Sequence, residues 1–431
     1  MYESNYLAER LARAGSSRLN KTFILREDMS QETSFAHFFF NAEQSAQFLT
    51  DLGVVPGDRV LVYAPKSVAS LELYFGCLLA GAVYTPVNPA IPLADIGYFV
   101  EDAHPALIIC DETRQRACLE ARGGSIPVLT INADESGSFI ERRDTYAAGF
   151  RAVVRSKEDP AAILYTSGTT GRPKGVVHSH QSLWSNAEVL ARSWSFTEED
   201  VLIHALPIFH LHGLFTAMNV LLTAGASCIY LPKFEVEQVL NVMPRSTVMM
   251  GVPPFYMALL EDPRLGAASN NMRVFISGSA PMLPQTHRAW QDKTGTMILE
   301  RYGMTECSMI ASNPYAAERR PNSVGFPLDG TELRITDMKT GTPLPRGETG
   351  MIEIRGPNLF SGYFNKPEKT AEDMRGDGFF ISGDFGRFDA QGYLHVLGRV
   401  KDAIFTKSGV VMPKEIEEWI DGQPGVAESA V

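Results

Sequence analysis

Cysteine is scarce in this sequence: Cys77, Cys110, Cys118, Cys228 and Cys307 are an odd number, widely scattered, and no two form a C-x-x-C pair. That argues against a disulfide framework and against a zinc knuckle, and makes a reducing setting the default. Long apolar runs are missing as well. The longest mostly apolar stretch, around Leu71 to Val87, is broken by Glu72, two glycines and Pro86, and falls short of a clean bilayer span. The N-terminus, MYESNYLAERLARAGSS, has no apolar signal core and carries Glu3 and Glu9, so no secretory peptide is expected and a cytoplasmic location is the expectation. Runs of Lys and Arg are absent too. With 50 Asp plus Glu against 39 Lys plus Arg, the formal net charge is -11. A chain that repels polyanions overall needs a concentrated basic face to hold them, so neither nucleic acid nor a membrane surface is an expected partner.

What is present is apolar content sufficient for a sizeable core, 45% of 431 residues. At about 100 to 200 residues per domain, that length allows two or three domains. Candidate strands are Arg59 to Tyr63, Ala106 to Cys110, Ala161 to Tyr165, Ser227 to Leu231, Thr247 to Gly251, Met272 to Ser277 and Met297 to Glu300. Between them lie helical candidates: Ser67 to Ala80, Gln181 to Trp194, Leu214 to Thr223 and Pro284 to Thr294. Strand alternating with helix at this spacing reads as an α/β protein with largely parallel sheets, whose ligands sit at the carboxyl ends of the strands. After about Ser323 the texture changes to short strand-like segments (Glu332 to Thr336, Met351 to Arg355, Phe379 to Ser382, Tyr393 to Leu397) separated by Gly, Pro and Asp turns, a small β-rich subdomain over 323–398. Residues 399–431, with helix-like Lys414 to Ile420, are too few to own a core.

Five constellations carry chemistry. Leu164-Tyr-Thr-Ser-Gly-Thr-Thr-Gly-Arg-Pro-Lys-Gly175 follows a candidate strand. Its glycines permit unusual backbone angles, Thr166, Ser167, Thr169 and Thr170 offer hydroxyls, and Lys174 adds charge, a set suited to wrapping phosphate oxygens. A mobile Ser/Thr/Gly turn has the same composition. It is not a P-loop, because Pro173 stands where the second glycine belongs, and no G-x-G-x-x-G follows a strand. In Pro207-Ile-Phe-His-Leu-His-Gly-Leu214, His210 and His212 lack a third metal ligand nearby, which favours pocket-wall histidines. Phe275-Ile-Ser-Gly-Ser-Ala-Pro-Met282 ends a strand in small residues, where a flat ring could approach the backbone or a plain turn begin. Leu299-Glu-Arg-Tyr-Gly-Met-Thr-Glu306 presents an aromatic ring for a base, then a hydroxyl and a carboxylate suited to phosphate and Mg²⁺. In the segment from Ile381-Ser-Gly-Asp-Phe385 to Gly398-Arg-Val-Lys-Asp402, Asp384 suits a ribose diol or a solvated turn.

In this order, from about Gly57 onward, the five blocks resemble the core motifs of the adenylate-forming superfamily, which includes acyl-CoA synthetases, the adenylation domains of peptide synthetases and luciferases. HALPIFHLHGLF, LPKF, MGVPPFY, FISGSAP and ILERYGMTE look most like its malonyl-CoA synthetase branch. The resemblance implies a large N-terminal domain over 1–398, built of two α/β sheet subdomains plus the β-rich one, and a hinge with an incomplete lid domain over 399–431. It implies an ATP-dependent, Mg²⁺-requiring acid:CoA ligase that forms an acyl-adenylate and then a thioester with coenzyme A. Thr166, Ser167, Gly168, Thr169, Thr170, Gly171 and Lys174 would hold the β- and γ-phosphates. Ser279, Ala280, Pro281 and Tyr302 would frame adenine, Glu300, Gly303 and Met304 would belong to the same nucleotide site, Thr305 would touch the α-phosphate, and Asp384 and Arg399 would bind the ribose. Glu306 would hold Mg²⁺, Thr166, Lys174 and Glu306 would share the catalytic roles, and Lys401 matches the hinge.

His210, Leu211, Ser277, Arg301 and Met309 match the acyl pocket. Where relatives that take aromatic or fatty acids look to have a glycine, this chain has Arg301. A guanidinium buried unpaired is costly, whereas a second carboxylate on the substrate satisfies it, so a small dicarboxylate is expected, malonate first and methylmalonate next. The alternative has Arg301 turned away and paired with Glu300 or a surface acid. The same arginine opposes the amine of an amino-acid substrate. Two features depart from the pattern: Leu211 where the branch usually has Thr, and Lys407 and Ser408 where a pantetheine-lining loop favours glycine. No residue matches the lysine that the family's small domain supplies for adenylation. The expectation is therefore impaired adenylation, the other possibility being a non-catalytic protein that binds nucleotide or acyl-adenylate.

Overall fold

The computed structural model describes all residues except 29–31, 167–171, 407, 408, 422, 424, 427 and 428. Lys407 and Ser408, read above as departures, therefore lie outside the described residues. Among the described residues two large sheets face the core. The first runs in the order Gly362–Tyr363, Lys174–Ser179, Pro160–Thr166, Val83–Pro86, Arg59–Tyr63, Leu107–Cys110, Val128–Thr130. In the second, the strands Val201–His204, Val248–Gly251, Val274–Ser277 and Leu299–Met304 lie parallel in the centre, with Ser227–Tyr230 and Thr22–Leu25 beyond. Antiparallel pairing is confined to the edges, as at Pro160–Thr166 with Lys174–Ser179 and at Leu299–Met304 with Ser308–Ser312. This is the α/β architecture with largely parallel sheets that strand and helix spacing implied.

Helix Val68–Ala80 shows how the core is specified. All thirteen of its residues are buried, which fits a segment apolar all round. Ser67 accepts a hydrogen bond from the Ser70 amide at its start, and Gly81, in the left-handed conformation (φ 74°), ends it. Gly76 lets helix Phe35–Asp51 approach so closely that a Cβ there would lie 2.6 Å from Ser45 Cβ. The carboxylate of this helix, Glu72, takes hydrogen bonds from Arg143 at 2.7 Å and Asn41 at 2.8 Å.

Past Ser323, the strands Glu332–Thr336, Gly350–Arg355, Phe380–Phe388 and Leu394–Arg399 form an antiparallel sheet. The pair Ile404–Thr406 and Gly409–Val411 and helix Pro413–Asp421 follow. One expectation changes in kind. The helix predicted over Leu214 to Thr223 begins as a π-helix, His212–Met218, and turns α only at Asn219–Ala224. Gly213 lies so close to Pro207 that a Cβ there would be 2.1 Å from its carbonyl oxygen, and this crowding accompanies the widened turn, a device common at functional sites. Among the described residues no helix is long and apolar enough to cross a membrane.

Candidate active site

The phosphate-loop candidate spans a hairpin whose ends are fixed by register. Thr166 pairs with Lys174 across the two antiparallel strands. Ser167, Gly168, Thr169, Thr170 and Gly171 lie outside the described residues. Strand Gly362–Tyr363 adds to the same hairpin opposite Val176 and Val177, and sets the Tyr363 ring beneath Lys174, whose Nζ is 4.2 Å from the ring centroid.

Strand Leu299–Met304 builds the opposite wall. It runs parallel to Val274–Ser277 at Leu299 and Glu300, then pairs antiparallel with Ser308–Ser312, with an irregularity between Tyr302 and Gly303. Because strand neighbours alternate faces, Glu300 and Arg301 part company. Glu300 accepts from the Met282 amide at 3.3 Å and pairs with His287 Nε2 at 2.6 Å. Arg301 is 3% exposed, and among the described residues its Nε and Nη2 have no hydrogen-bond partner. Burial lowers its pKa to about 10. Both ring nitrogens of buried His212 and the Ser277 hydroxyl are likewise unpartnered among the described residues. Burial and then the Arg301 charge hold His212 well below the usual histidine range, so it is neutral.

Two connected cavities open here. The larger, about 730 Å³, is walled by Lys174, Leu211, His212, Arg301, Glu306 and Met309 among others. The smaller, about 370 Å³, includes Ala280, Pro281, Tyr302 and Asp384, and shares Ser279, Arg301, Gly303 and Arg399 with the first. Every described site position read from the sequence, Ser277 and Lys401 excepted, lines one or the other. Ser277 stands behind the wall, fully buried at the end of its strand, and Lys401 sits in the turn Val400–Asp402. His210 is exposed, while Leu211 and Met309 are buried.

Asp384 and Arg399 are register partners in the small sheet, and Arg399 Nε lies 3.0 Å from Asp384 Oδ1. The Tyr302 hydroxyl donates to Asp384 Oδ2. Burial raises the Asp384 pKa, and the charge of Arg399 opposes that rise. On the phosphate side, Glu306 is buried and accepts from the Tyr363 hydroxyl at 3.1 Å. Among the described residues no cluster of three or more His, Cys, Asp or Glu could cage a metal by itself. A lone carboxylate in a phosphate-sized cleft fits Mg²⁺, which commonly takes one or two carboxylates and completes its shell with substrate phosphates and water.

Sequence reasoning missed four residues. His212 was visible beside His210, yet only the fold shows which of the two is buried against Arg301. Gly278 stood in the quoted FISGSAP block, where a flat ring was expected; the planar group against it is the Arg301 guanidinium. His287 and Tyr363 carry no local signal, since each acts through a residue distant in sequence, Glu300 and Glu306.

The arrangement recurs in known proteins. A family model described as AMP-binding enzyme matches residues 11–364. The chain belongs to the AMP-binding enzyme family. Among its relatives in that family, a malonate–CoA ligase of Arabidopsis thaliana is 32% identical, the alignment covering 91% of this chain and 68% of the relative. The crystal structure of ATP-bound MatB from Rhodopseudomonas palustris superposes with a TM-score of 0.95 at 47% identity, covering 98% of this chain and 85% of that one. A malonyl-CoA ligase ternary product complex with methylmalonyl-CoA and AMP bound has a TM-score of 0.78 at 30% identity, covering 100% and 88%.

Proposed function

We propose that this AMP-binding enzyme is an AMP-forming acid:CoA ligase that activates malonate. The observation that carries the reading is the buried Arg301 guanidinium with two unpartnered nitrogens facing neutral His212. Such donors left unmade are expensive, and a substrate carboxylate supplies the matching acceptors. A monocarboxylic acid would leave them unsatisfied, which is how the site discriminates. The similarity to the malonate–CoA ligase and to MatB supports the same acid.

In this reading the distal carboxylate binds Arg301, with His212 as a further donor, and Leu211 and Met309 limit the width of the acid. The proximal carboxylate then faces the α-phosphate near Thr305. Its oxygen attacks α-phosphorus, the bond to pyrophosphate breaks, and an acyl-adenylate remains. Such transfer depends on positioning and charge neutralisation. Thr166 and Lys174 engage the departing phosphates; Ser279, Ala280, Pro281 and Tyr302 flank adenine; Asp384 and Arg399 meet the ribose. Glu306 is the residue that holds Mg²⁺, which when bound neutralises phosphate charge. The coenzyme A thiol next attacks the acyl carbon, loses its proton and displaces AMP. Lys401 is the pivot between the two halves, dividing residues 1–398 from 399–431.

The test supplies MgATP with malonate, butyrate or methylmalonate, with and without coenzyme A. Malonate-dependent pyrophosphate, followed by thioester once coenzyme A is added, is the expected result. Equal turnover of butyrate would remove the role given to Arg301.

A further inference from the structure

The Tyr363 ring touches two charged groups of the phosphate side, Glu306 and Lys174. It is 6% exposed. Its hydroxyl donates to Glu306 Oε1 at 3.1 Å, and its face carries Lys174 Nζ, 4.2 Å from the centroid. The two contacts reach residues far apart in sequence, one on the hairpin and one after strand Leu299–Met304. They meet only because Gly362–Tyr363 pairs with the hairpin and the Phe360 amide donates to the Glu306 carbonyl oxygen at 2.8 Å. The Asp373 carboxylate also lies within reach of the Tyr363 hydroxyl, and Lys369 engages it at 2.8 Å; the hydrogen bond that the hydroxyl donates is the one to Glu306.

We infer that Tyr363 is a positioning residue that orients Glu306 toward the nucleotide-bound cation through its hydroxyl and holds Lys174 at the phosphate mouth through its ring. The inference rests on the proposed ligase reading. A phenol on one carboxylate oxygen fixes the rotation of the group and directs the other oxygen outward, the role that outer partners play at metal sites. An ammonium over an aromatic face is held without losing its protons to a carboxylate, so its donors remain for phosphate.

The two contacts separate by substitution. Tyr363→Phe removes the hydroxyl and keeps the ring; Tyr363→Leu removes both. Calorimetric titration with ATP, in Mg²⁺ and in EDTA without acid substrate, reads the binding without turnover. In the parent, Mg²⁺ tightens ATP binding. In Tyr363→Phe that tightening shrinks about tenfold, as expected for loss of an outer partner, while affinity in EDTA stays at the parental value. In Tyr363→Leu affinity in EDTA falls as well. A parental Mg²⁺ effect in Tyr363→Phe overturns the assignment even if Tyr363→Leu fails to fold. A parent that binds no ATP overturns the ligase reading itself, and a parent that binds it with an unchanged Tyr363→Phe overturns only this inference.

Discussion

Gly278 and Arg301 compete for one volume: a Cβ placed on Gly278 would lie 2.3 Å from Cζ of Arg301. Glycine at 278 is therefore what allows the guanidinium its place in the wall of the larger cavity. The alternative, Arg301 paired with Glu300, is not what the structure shows, because Glu300 pairs with His287.

Gly278→Ala pushes the guanidinium out of register without touching its charge. A displacement of about 1 Å is enough to cost roughly 100-fold in catalysis. The expected result is a fall of that order in kcat/KM for malonate, with KM for ATP close to the parent. Steady-state kinetics with each substrate varied in turn checks it, and equal losses on both would point to general misfolding.

Arg301→Gly removes the distal anchor. Hydrogen bonds to charged groups contribute about 1.5–3 kcal/mol, so malonate turnover should fall at least tenfold. Butyrate should gain relative to malonate, since no buried cation is left unpaired. Unchanged malonate turnover would sink the diacid reading.

Leu211→Ala widens the wall shared with Met309. A pocket distinguishes one methylene by about 1–3 kcal/mol, so the ratio of methylmalonate to malonate kcat/KM should rise roughly tenfold or more. Competition between the two acids, read by mass of the thioester products, gives the ratio directly.

Acid should destabilise the fold through two histidines. Burial pushes His178 and His180 down from 6.5 to about 4, and His180 Nδ1 accepts from the Leu7 amide at 3.3 Å, which needs the neutral ring. Between those values the unfolded chain binds protons that the folded chain refuses. Stability is therefore full above pH 6.5 and lost as pH falls toward 4. The loss is roughly 2 kcal/mol per histidine at pH 5. His180→Asn should flatten the melting temperature against pH between 7 and 5, and an unchanged slope would remove His180 from the account.

Much of this protein was readable in linear order because its elements are locally consistent. Arg59–Tyr63, Pro284–Thr294 and Glu332–Thr336 lie where their apolar runs and turn residues placed them. The strand Leu299–Met304 ran longer than its apolar pattern, since Arg301 and Tyr302 are polar side chains that its pairing with Ser308–Ser312 carries inside. The π-turn at His212–Met218 was unreadable, because the crowding of Gly213 against Pro207 exists only after the chain folds back.

The order and chemistry of the five blocks, and an arginine at position 301, belong to the sequence itself, since residue type and spacing suffice to state them. Which way Arg301 faces was decided by tertiary structure alone. Alternation along one strand, the partner that His287 gives Glu300 and the space left by Gly278 together leave that guanidinium buried and unpaired among the described residues. Tyr363 belongs to the same class: its two charged neighbours come from distant segments, and only sheet pairing brings them to one ring.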